Sequence, residues 1–234
     1  MAVRIGTSGY NYPEWRGSFY PARFSPSKML PYYAERFSTV EINYTFYRMP
    51  NAKTVAGWDA ETPAGFCFAL KAPKRVTHDA RLRNVDEPLR YFLDTARRLG
   101  PKLGPILFQL PPNFKQDIDR LGGLLDGLPP DLRYAFEFRH PSWFADEVYA
   151  RLRAKNAALC VADTEHGTTP LVATADFGYL RLRDQGYTSA DLGQWSLTVR
   201  RLESGWRDTF LYFKHEESGV GPALARQLET LLGG

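Results

Sequence analysis

The sequence predicts a (β/α)8 barrel of the TIM-barrel type, and three observations support this fold class. Eight short apolar segments alternate with segments of helical periodicity along the chain. Nearly every apolar segment ends in polar or charged residues that share one face. The length of 234 residues is close to that of one such barrel. Because barrels of this type build their active sites at the carboxyl ends of the strands, the pattern predicts where a site lies without identifying a reaction.

The predicted strands cover residues 3–8, 39–44, 66–71, 105–110, 133–139, 157–163, 177–183 and 208–215. Side chains along a strand point alternately to opposite faces, so one face of each strand is assigned to the barrel interior. The inward set at the strand ends is predicted to be Ser8, Glu41, Asn43, Lys71, Gln109, Glu137, Arg139, Asp163, Arg181, Arg183 and Lys214. The opposite faces of the strands are predicted to pack under helices. Their residues include Phe66, Phe68, Leu70, Ile106, Phe108, Leu110, Tyr134, Phe136 and Phe138.

Helical periodicity fills most of the gaps between these strands. Helices are predicted over residues 27–37, 51–61, 87–99, 117–128, 145–155, 189–202 and 221–232. The gap at residues 164–176 contains Gly167 and Pro170 and few helix formers, so the sixth helix is predicted to be short or missing. Since no linker or shift in composition divides the chain, we expect one domain over residues 1–234.

Composition and the chain start argue against several classes of protein. The sequence has no run of about 18 apolar residues, so no transmembrane helix or membrane partner is expected. The first strand begins within a few residues, which leaves no room for a secretory signal. Cys67 and Cys160 both fall in predicted strands, which argues against a disulfide framework and favours a cytoplasmic location. The net charge of +4 favours anionic partners only weakly.

Several sequence blocks follow one another over the first two thirds of the chain. They are Gly6-Thr7-Ser8-Gly9-Tyr10 with Trp15, Gly17, Phe19, Tyr20 and Pro21; Glu41-Ile42-Asn43 with Thr45-Phe46-Tyr47-Arg48; Lys71 with Thr77-His78; Leu107-Phe108-Gln109-Leu110-Pro111-Pro112; and Phe136-Glu137-Phe138-Arg139-His140 with Ser142-Trp143-Phe144. In this order they resemble the YecE-like family, a bacterial and archaeal domain-of-unknown-function family. The resemblance implies a TIM-barrel-like fold, and it implies no activity because the family has none assigned.

The last third of the chain departs from the pattern of that family. The family tends to carry Arg-Leu-His on the seventh strand, where this chain has Arg181-Leu182-Arg183. It tends to end the eighth strand in a run similar to Asn-Asn-Asp, where this chain has Lys214-His215-Glu216. No functional role for these two strand ends follows from the resemblance.

Glu137 is the leading candidate for acid–base catalysis. It shares a strand face with Arg139, a residue type that grips anionic groups through two parallel hydrogen bonds. The alternative is that Arg139 or Lys71 pairs with Glu137, lowers its pKa and gives it a structural role. Glu41 has the same two interpretations, because Lys71 on the neighbouring strand can neutralise it. His140, just beyond the fifth strand, is the third candidate catalytic residue, with a cap or turn role as its alternative.

Further residues are predicted to bind a ligand at the barrel mouth. Gln109 ends an otherwise apolar strand where no structural need for an amide is evident. Asp163 and His78 have a capping role as their alternative. The surplus of lysine and arginine at the strand ends suits a small anionic, for example phosphorylated, compound. The predicted ligand-binding residues are Asn43, Lys71, Gln109, Arg139, Asp163, Arg181 and His78.

No cofactor is predicted, although a divalent metal is a less favoured alternative. The strand ends supply suitable ligand types, including His78, His140 and His215. No His-x-His or Glu-x-x-His spacing occurs, and the dense cations oppose a metal ion. The glycines of residues 217–222, together with Gly186, offer a phosphate cradle at the start of the last helix, with an ordinary turn as the alternative.

Three functions remain open at this stage. The leading one is binding of, or catalysis on, a small anionic compound through carboxylate acid–base chemistry, for example as a hydrolase. The second is a nucleic-acid-binding or phosphodiester-cleaving barrel, which would use loop aromatics and the nearby Arg16, Arg23 and Arg48. The third is a carbohydrate-active barrel with Glu41 and Glu137 on either side of a sugar. The loop aromatics, for which packing over the mouth is the main interpretation, are Tyr10, Tyr12, Trp15, Phe19, Tyr20, Tyr44, Phe46, Tyr47, Trp143 and Phe144. The sequence leaves the oligomeric state open.

Overall fold

Eight parallel strands form a nearly closed barrel in the computed structural model, which describes residues 2–203 and 205–233. The order around the ring is β1-β9-β8-β6-β5-β4-β3-β2, and the short β7 pairs with β6 in the antiparallel direction. The predicted TIM-barrel-like fold is therefore confirmed. The strands are β1 (Ala2–Thr7), β2 (Thr39–Ile42), β3 (Cys67–Lys71), β4 (Leu103–Gln109), β5 (Tyr134–Glu137), β6 (Ala158–Thr164), β7 (Gly167–Thr168), β8 (Phe177–Leu182) and β9 (Asp208–Phe213).

The ring closes where the carboxyl ends of β1 and β2 meet. Ser8 and Glu41 form a parallel bridge, and the Gly9 amide donates to the Glu41 carbonyl oxygen at 2.8 Å. Lower in the barrel the two strands approach so closely that a Cβ on Gly6 would lie 2.3 Å from the Thr39 carbonyl oxygen. A residue without a side chain is therefore required at position 6.

Helices cover the outside of the barrel in the order that the sequence predicts. They are α1 (Met29–Ala34), α2 (Tyr44–Tyr47), α3 (Ala52–Ala60), α4 (Asp86–Ala96), α5 (Ile118–Gly127), α6 (Asp146–Ala154), α7 (Ser189–Glu203) and α8 (Val220–Leu232). The short α2 was not predicted from the sequence. Single turns of 3-10 or π helix occur in several loops, including Arg75–Asp79 and Pro141–Trp143.

No helix forms between β6 and β8, which confirms the prediction for this connection. Gly167 has a φ of 105° and turns the chain back, so that β7 pairs with the end of β6. Threonines of the returning segment then bond to the β6 backbone. The Ala162 amide donates to Thr169 Oγ1 at 2.9 Å, and the Leu159 amide donates to Thr174 Oγ1 at 2.7 Å. Side-chain hydroxyls and an extended chain thus take the place of a helix beside β6.

The apolar core has two layers, as the strand alternation predicts. The predicted helix-facing residues all belong to one large cluster together with helix residues such as Leu89 and Leu228. A smaller cluster lies inside the barrel and includes Ala69, Leu107, Tyr179 and Tyr212, among others. The inner layer fills the lower part of the barrel, which leaves the polar strand ends at its mouth.

The predicted inward orientation of Asp163 is wrong. Cys160 lies in the inner cluster and Leu159 and Val161 lie in the outer one, so alternation places Asp163 on the outer face. Its carboxylate accepts hydrogen bonds from Thr168 and, at 2.7 Å, from the Tyr187 hydroxyl. The error arises because β6 is apolar on both faces, and such a strand carries no alternation from which its phase can be assigned.

Across residues 2–203 and 205–233, none of the helices combines the length and apolar character that crossing a bilayer requires. Cys67 and Cys160 are buried free thiols.

We predict that Gly6→Ala destabilises the protein at the β1–β2 closure. The new methyl group meets the fixed Thr39 backbone, and such overpacking costs about 1–3 kcal/mol of unfolding free energy. Gly57→Ala in α3 is the matched control, because a Cβ at Gly57 meets nothing within 4 Å. The control is expected to stabilise by about 0.5–1 kcal/mol. Urea denaturation measures both changes, and equal stabilities of the two variants would contradict the prediction.

Candidate functional site

Arg181 lies at the centre of the barrel mouth and joins the two carboxylates predicted as catalytic. It extends from β8 into the barrel, where its side chain is 1% exposed. One terminal nitrogen donates to Glu41 Oε1 on β2 at 2.9 Å, and the other donates to Glu137 Oε2 on β5. Both carboxylates are as deeply buried as the guanidinium. The three residues therefore form one buried ionic cluster that spans the barrel.

Glu41 accepts hydrogen bonds at both of its carboxylate oxygens. The Tyr179 hydroxyl, two residues before Arg181 on β8, donates to Oε2 at 2.7 Å. Ser8 Oγ donates to Oε1 alongside Arg181, and Asn43 Nδ2 in turn donates to Ser8 Oγ at 2.7 Å. This network satisfies the hydrogen-bonding needs of a buried carboxylate, and it gives Asn43 a supporting role.

Glu137 is surrounded by three arginines. Besides Arg181, Arg139 Nε donates to Oε1 at 2.9 Å, and Arg183 lies 3.7 Å from the same oxygen. Burial favours the neutral acid, but the charges of Arg181, Arg139 and Arg183 outweigh it and hold the pKa of Glu137 well below its usual range. Glu137 is thus an ionised residue that holds guanidinium groups in place.

The mouth carries more positive than negative charge. Five inward-facing cationic residues, Lys71, Arg139, Arg181, Arg183 and Lys214, accompany two buried carboxylates. Burial, with the charges of Arg181 and Arg139, lowers the pKa of Arg183 although Glu137 opposes the shift. Burial, with the charges of Arg183 and Arg181, likewise lowers the pKa of Lys214, whose amine lies 3.6 Å from Glu216 on the rim. The neighbouring cations repel one another, which favours uptake of an anion.

Lys71 and Gln109 are buried at the mouth without hydrogen bonds from their side chains to the described residues. Their exposed fractions are 8% and 3%. The Lys71 amine lies 3.9 Å from the centre of the Phe46 ring. Burial and the charge of Arg181 lower the pKa of Lys71 to about 7, despite the opposing charges of Glu41 and Glu137. A substantial fraction of this amine is therefore neutral near pH 7.

A cavity of about 520 Å³ opens beside the ionic cluster. It lies between β5 and the β6–β7 hairpin, and Glu137, Arg139 and Arg183 form part of its wall together with Phe144 and Thr168. The hydrogen-bonded register of β5 with β6 stops at the pairing of residues 136 and 159, after which β6 pairs with β7. The cavity follows from this separation of the two strands.

The two loop histidines lie in different surroundings. His140 accepts a hydrogen bond from the Ser142 amide at 3.2 Å and caps the turn at Pro141–Trp143. This is the structural alternative named above. His78 is half-buried against Phe46, with ring centres 4.9 Å apart. Burial and the charges of Lys71 and Arg139 lower its pKa to about 4, so it is neutral at pH 7.

Glycines in the last loop lie close to neighbouring residues, and Gly219 lines an open pocket of about 320 Å³ together with Ser18 and Arg226. A Cβ on Gly219 would lie 2.5 Å from Ser18 Oγ, and one on Gly221 would lie 2.9 Å from the His215 carbonyl oxygen. The aromatics of the first loop also pack internally: Trp15 and Tyr20 are buried and form ring contacts with Phe19.

Within the part of the chain that the structure describes, no three His, Cys, Asp or Glu side chains come together as a metal site would require. The predicted residues that do come together are Glu41, Asn43, Glu137, Arg139 and Arg181, with Lys71 and Gln109 beside them.

Sequence reasoning missed Tyr179 as part of the site and named Phe46 only as an aromatic residue over the mouth. Tyr179 shares the inward face of β8 with Arg181, so its position two residues earlier was a usable signal. Phe46 lies in α2, and its contact with Lys71 has no counterpart in sequence spacing.

Comparison with known proteins identifies the family of this chain. The family model described as "Protein of unknown function DUF72" matches residues 4–234. The UPF0759 protein YecE of Escherichia coli (strain K12) is 33% identical over 144 residues, which are 61% of this chain and 50% of YecE. The matched region therefore spans about half the length of that relative. The UPF0759 protein YunF of Bacillus subtilis (strain 168) is 25% identical over 98% of this chain and 94% of YunF.

Solved structures of the same family have the same fold. A DUF72 family protein (TM1631) from Thermotoga maritima MSB8 superposes with a TM-score of 0.86 at 26% identity, covering 100% of both chains. A DUF72 family protein (EF0366) from Enterococcus faecalis V583 gives a TM-score of 0.83 over 99% of this chain and 96% of that one. At 18% identity, the latter supports the fold alone. The predicted resemblance to the YecE-like family is confirmed.

We predict that Glu137→Gln lowers the unfolding free energy at pH 7 by about 3–5 kcal/mol, because it leaves the buried Arg181 charge undercompensated. The low pKa of Glu137 means that its ionised form stabilises the fold above the ordinary value of 4.5 and that this stabilisation is lost as the pH falls below it. The difference between wild type and variant should therefore shrink on acidification.

Urea denaturation between pH 7 and pH 3 measures this dependence. Glu217→Gln in an exposed loop is the control and should change stability little. If Glu137→Gln were as mild as the control at pH 7, the ionic role assigned to Glu137 would be wrong.

Proposed function

The chain belongs to the DUF72 family of proteins of unknown function, and from the contacts of its own residues we propose that the mouth of the barrel binds a small anionic compound. The observation that carries the proposal is the excess of inward-facing lysines and arginines over the carboxylates Glu41 and Glu137 at the strand ends, next to a cavity whose wall includes Arg139, Arg183, Glu137 and the exposed Glu165. A carboxylate or phosphate group on the ligand would supply the missing negative charge.

Arg139 and Arg183 are the residues best placed to bind the anion. Arg139 is 31% exposed and uses only Nε toward Glu137, so its terminal nitrogens make no hydrogen bond to the described residues. Arg183 is 21% exposed, and its buried Nε has no partner among those residues. Both side chains line the cavity. Guanidinium groups with free terminal nitrogens bind carboxylate and phosphate through paired, charge-assisted hydrogen bonds.

The carboxylates have a charge-holding role in this proposal. Both oxygens of Glu137 and of Glu41 face cationic or hydroxyl donors, and the low pKa of Glu137 disfavours proton donation near neutral pH. Carboxylate acid–base chemistry therefore has less support than anion binding. The carbohydrate alternative is weakened as well, because Arg181 lies between the two carboxylates that would have to flank a sugar.

Nucleic acid is a second candidate ligand, and exposed aromatics favour it. Tyr47 and Tyr44 on the rim after β2 are 76% and 44% exposed, and Arg48 beside them is exposed. Bases stack on such side chains. Trp15 and Tyr20 of the first loop are buried and cannot stack on a base. A small ligand stays the leading proposal because the cations are concentrated at the strand ends.

We predict that inorganic phosphate or sulfate raises the melting temperature above that in chloride at equal ionic strength, because an anion that binds only the native state stabilises it. Arg139→Gln and Arg183→Gln should each weaken this binding roughly tenfold or more, through loss of a charge-assisted contact worth about 1.5–3 kcal/mol. Thermal shift against anion concentration measures both effects.

Arg98→Gln is the matched control, since Arg98 is exposed just before β4, at the opposite end of the barrel. It should keep the full phosphate response. A parallel binding measurement with a single-stranded oligonucleotide distinguishes nucleic acid from a small anion as the ligand. Nucleic-acid binding should fall steeply with salt and should weaken in Tyr47→Ala. No differential shift in phosphate or sulfate would refute the anion proposal.

A further inference from the structure

We propose that Lys71 is a nucleophile whose amine forms a Schiff base with the carbonyl carbon of a small anionic aldehyde or ketone held in the barrel mouth. This substrate class deepens the anion binding proposed above, on which it rests. Three features of the molecule carry it: the isolation of the Lys71 amine, the polar group beside it, and the cations that surround it.

A comparison with Lys102 shows that the isolation of Lys71 is unusual. Both lysines are buried, with exposed fractions of 8% and 7%. The Lys102 amine donates to the carbonyl oxygens of Asp59 and Thr62 at 2.6 and 2.8 Å and lies 2.9 Å from the Asp59 carboxylate. It is bonded as a structural lysine should be. The Lys71 amine makes no hydrogen bond to the described residues and lies 3.9 Å from the centre of the Phe46 ring.

Gln109 is a second unpartnered polar group next to this amine. Lys71 pairs in register with Leu107 on β4, so Gln109 lies two residues further toward the mouth on the same inward face. Gln109 is 3% exposed, and its amide makes no hydrogen bond to the described residues. A carbonyl compound at Lys71 would give the amide an oxygen to which it can donate.

Charged groups on every neighbouring element act on Lys71. Arg181 on β8 and Arg139 after β5 disfavour the ammonium form, whereas Glu41 on β2 and Glu137 on β5 favour it. His78, in the turn after β3, is neutral at pH 7. Burial is the largest effect, and together these groups bring the pKa of Lys71 to about 7. Desolvated lysines beside other cations are the ones that act as Schiff-base nucleophiles.

The reaction balances without an oxidant, a reductant or a cofactor. The nitrogen lone pair of neutral Lys71 forms a bond to the carbonyl carbon, and the carbonyl oxygen takes up a proton as the nitrogen loses one. The hydroxyl group then leaves with a further proton as water, while the carbon–nitrogen bond becomes double. Amine and carbonyl compound thus give an imine and water, and the anionic end of the substrate stays with Arg139 and Arg183.

The test uses glyoxylate, an anionic aldehyde, with sodium cyanoborohydride, which reduces an imine to a stable secondary amine. Intact-mass analysis and peptide mapping after incubation near pH 7 should show one adduct, located on Lys71. Lys53 on the exposed face of α3 is the internal reference. Lys71 should react roughly tenfold or more faster than Lys53 at pH 7, because a larger fraction of its amine is neutral. The labelling rate of Lys71 should level off above pH 7.

Variants and a neutral probe make the outcomes separable. Lys71→Met should lose the adduct, and Lys53→Met should keep it. Phosphate should compete with glyoxylate and slow labelling of the wild type, a result that does not require Lys71→Met to fold. Labelling of exposed lysines with Lys71 unmodified would overturn the Schiff-base inference. If phosphate still raised the melting temperature in that case, the anion-binding proposal would be retained. Equal labelling of Lys71 by glyoxylate and neutral glycolaldehyde, with no phosphate shift, would overturn the anionic substrate class and the proposed function together.

Discussion

The buried contact of Arg181 with Glu41 and Glu137 is the interaction on which the rest of the mouth depends. Two carboxylates inside a barrel are costly unless each is paired and fully hydrogen-bonded. Arg181 satisfies both from the centre, with a side chain 1% exposed. Removing Arg181 would leave Glu41 with the hydroxyl groups of Ser8 and Tyr179 as its hydrogen-bond donors. The cluster therefore constrains the relative positions of β2, β5 and β8 as well as their charges.

The missing sixth helix determines where the mouth is open. An extended segment with a hairpin lies beside β6, and threonine hydroxyls such as that of Thr174 complete its hydrogen bonding. Because β6 turns to this hairpin, it separates from β5 above residues 136 and 159. The gap exposes one side of the ionic cluster, where Arg139 and Arg183 line a cavity of about 520 Å³. The extended connection between β6 and β8 thus determines which cationic side chains are accessible to a ligand.

The polar residues inside the barrel are of two kinds, those with hydrogen bonds to other protein groups and those without. Glu41 and Glu137 have hydrogen bonds at both carboxylate oxygens, and Arg181 has them at both terminal nitrogens although not at its buried Nε. Such bonds suit residues that keep the barrel in one arrangement. Lys71 and Gln109, which are 8% and 3% exposed, make no such bonds to the described residues. A polar side chain that lies at a strand end without a protein partner is available to bind a ligand. The functional proposals follow from that contrast.

The sequence alone was sufficient for the barrel, its inward and outward faces, the missing helix and the family, because strand alternation and breaker residues are local properties. It did not determine the phase of the uniformly apolar β6, so Asp163 was placed on the wrong face. Nor did it show that Arg181 joins Glu41 to Glu137, that His140 caps a turn, or that Lys71 stays unpaired. Those outcomes depend on which strand ends meet across the ring, and that is decided only when the barrel closes.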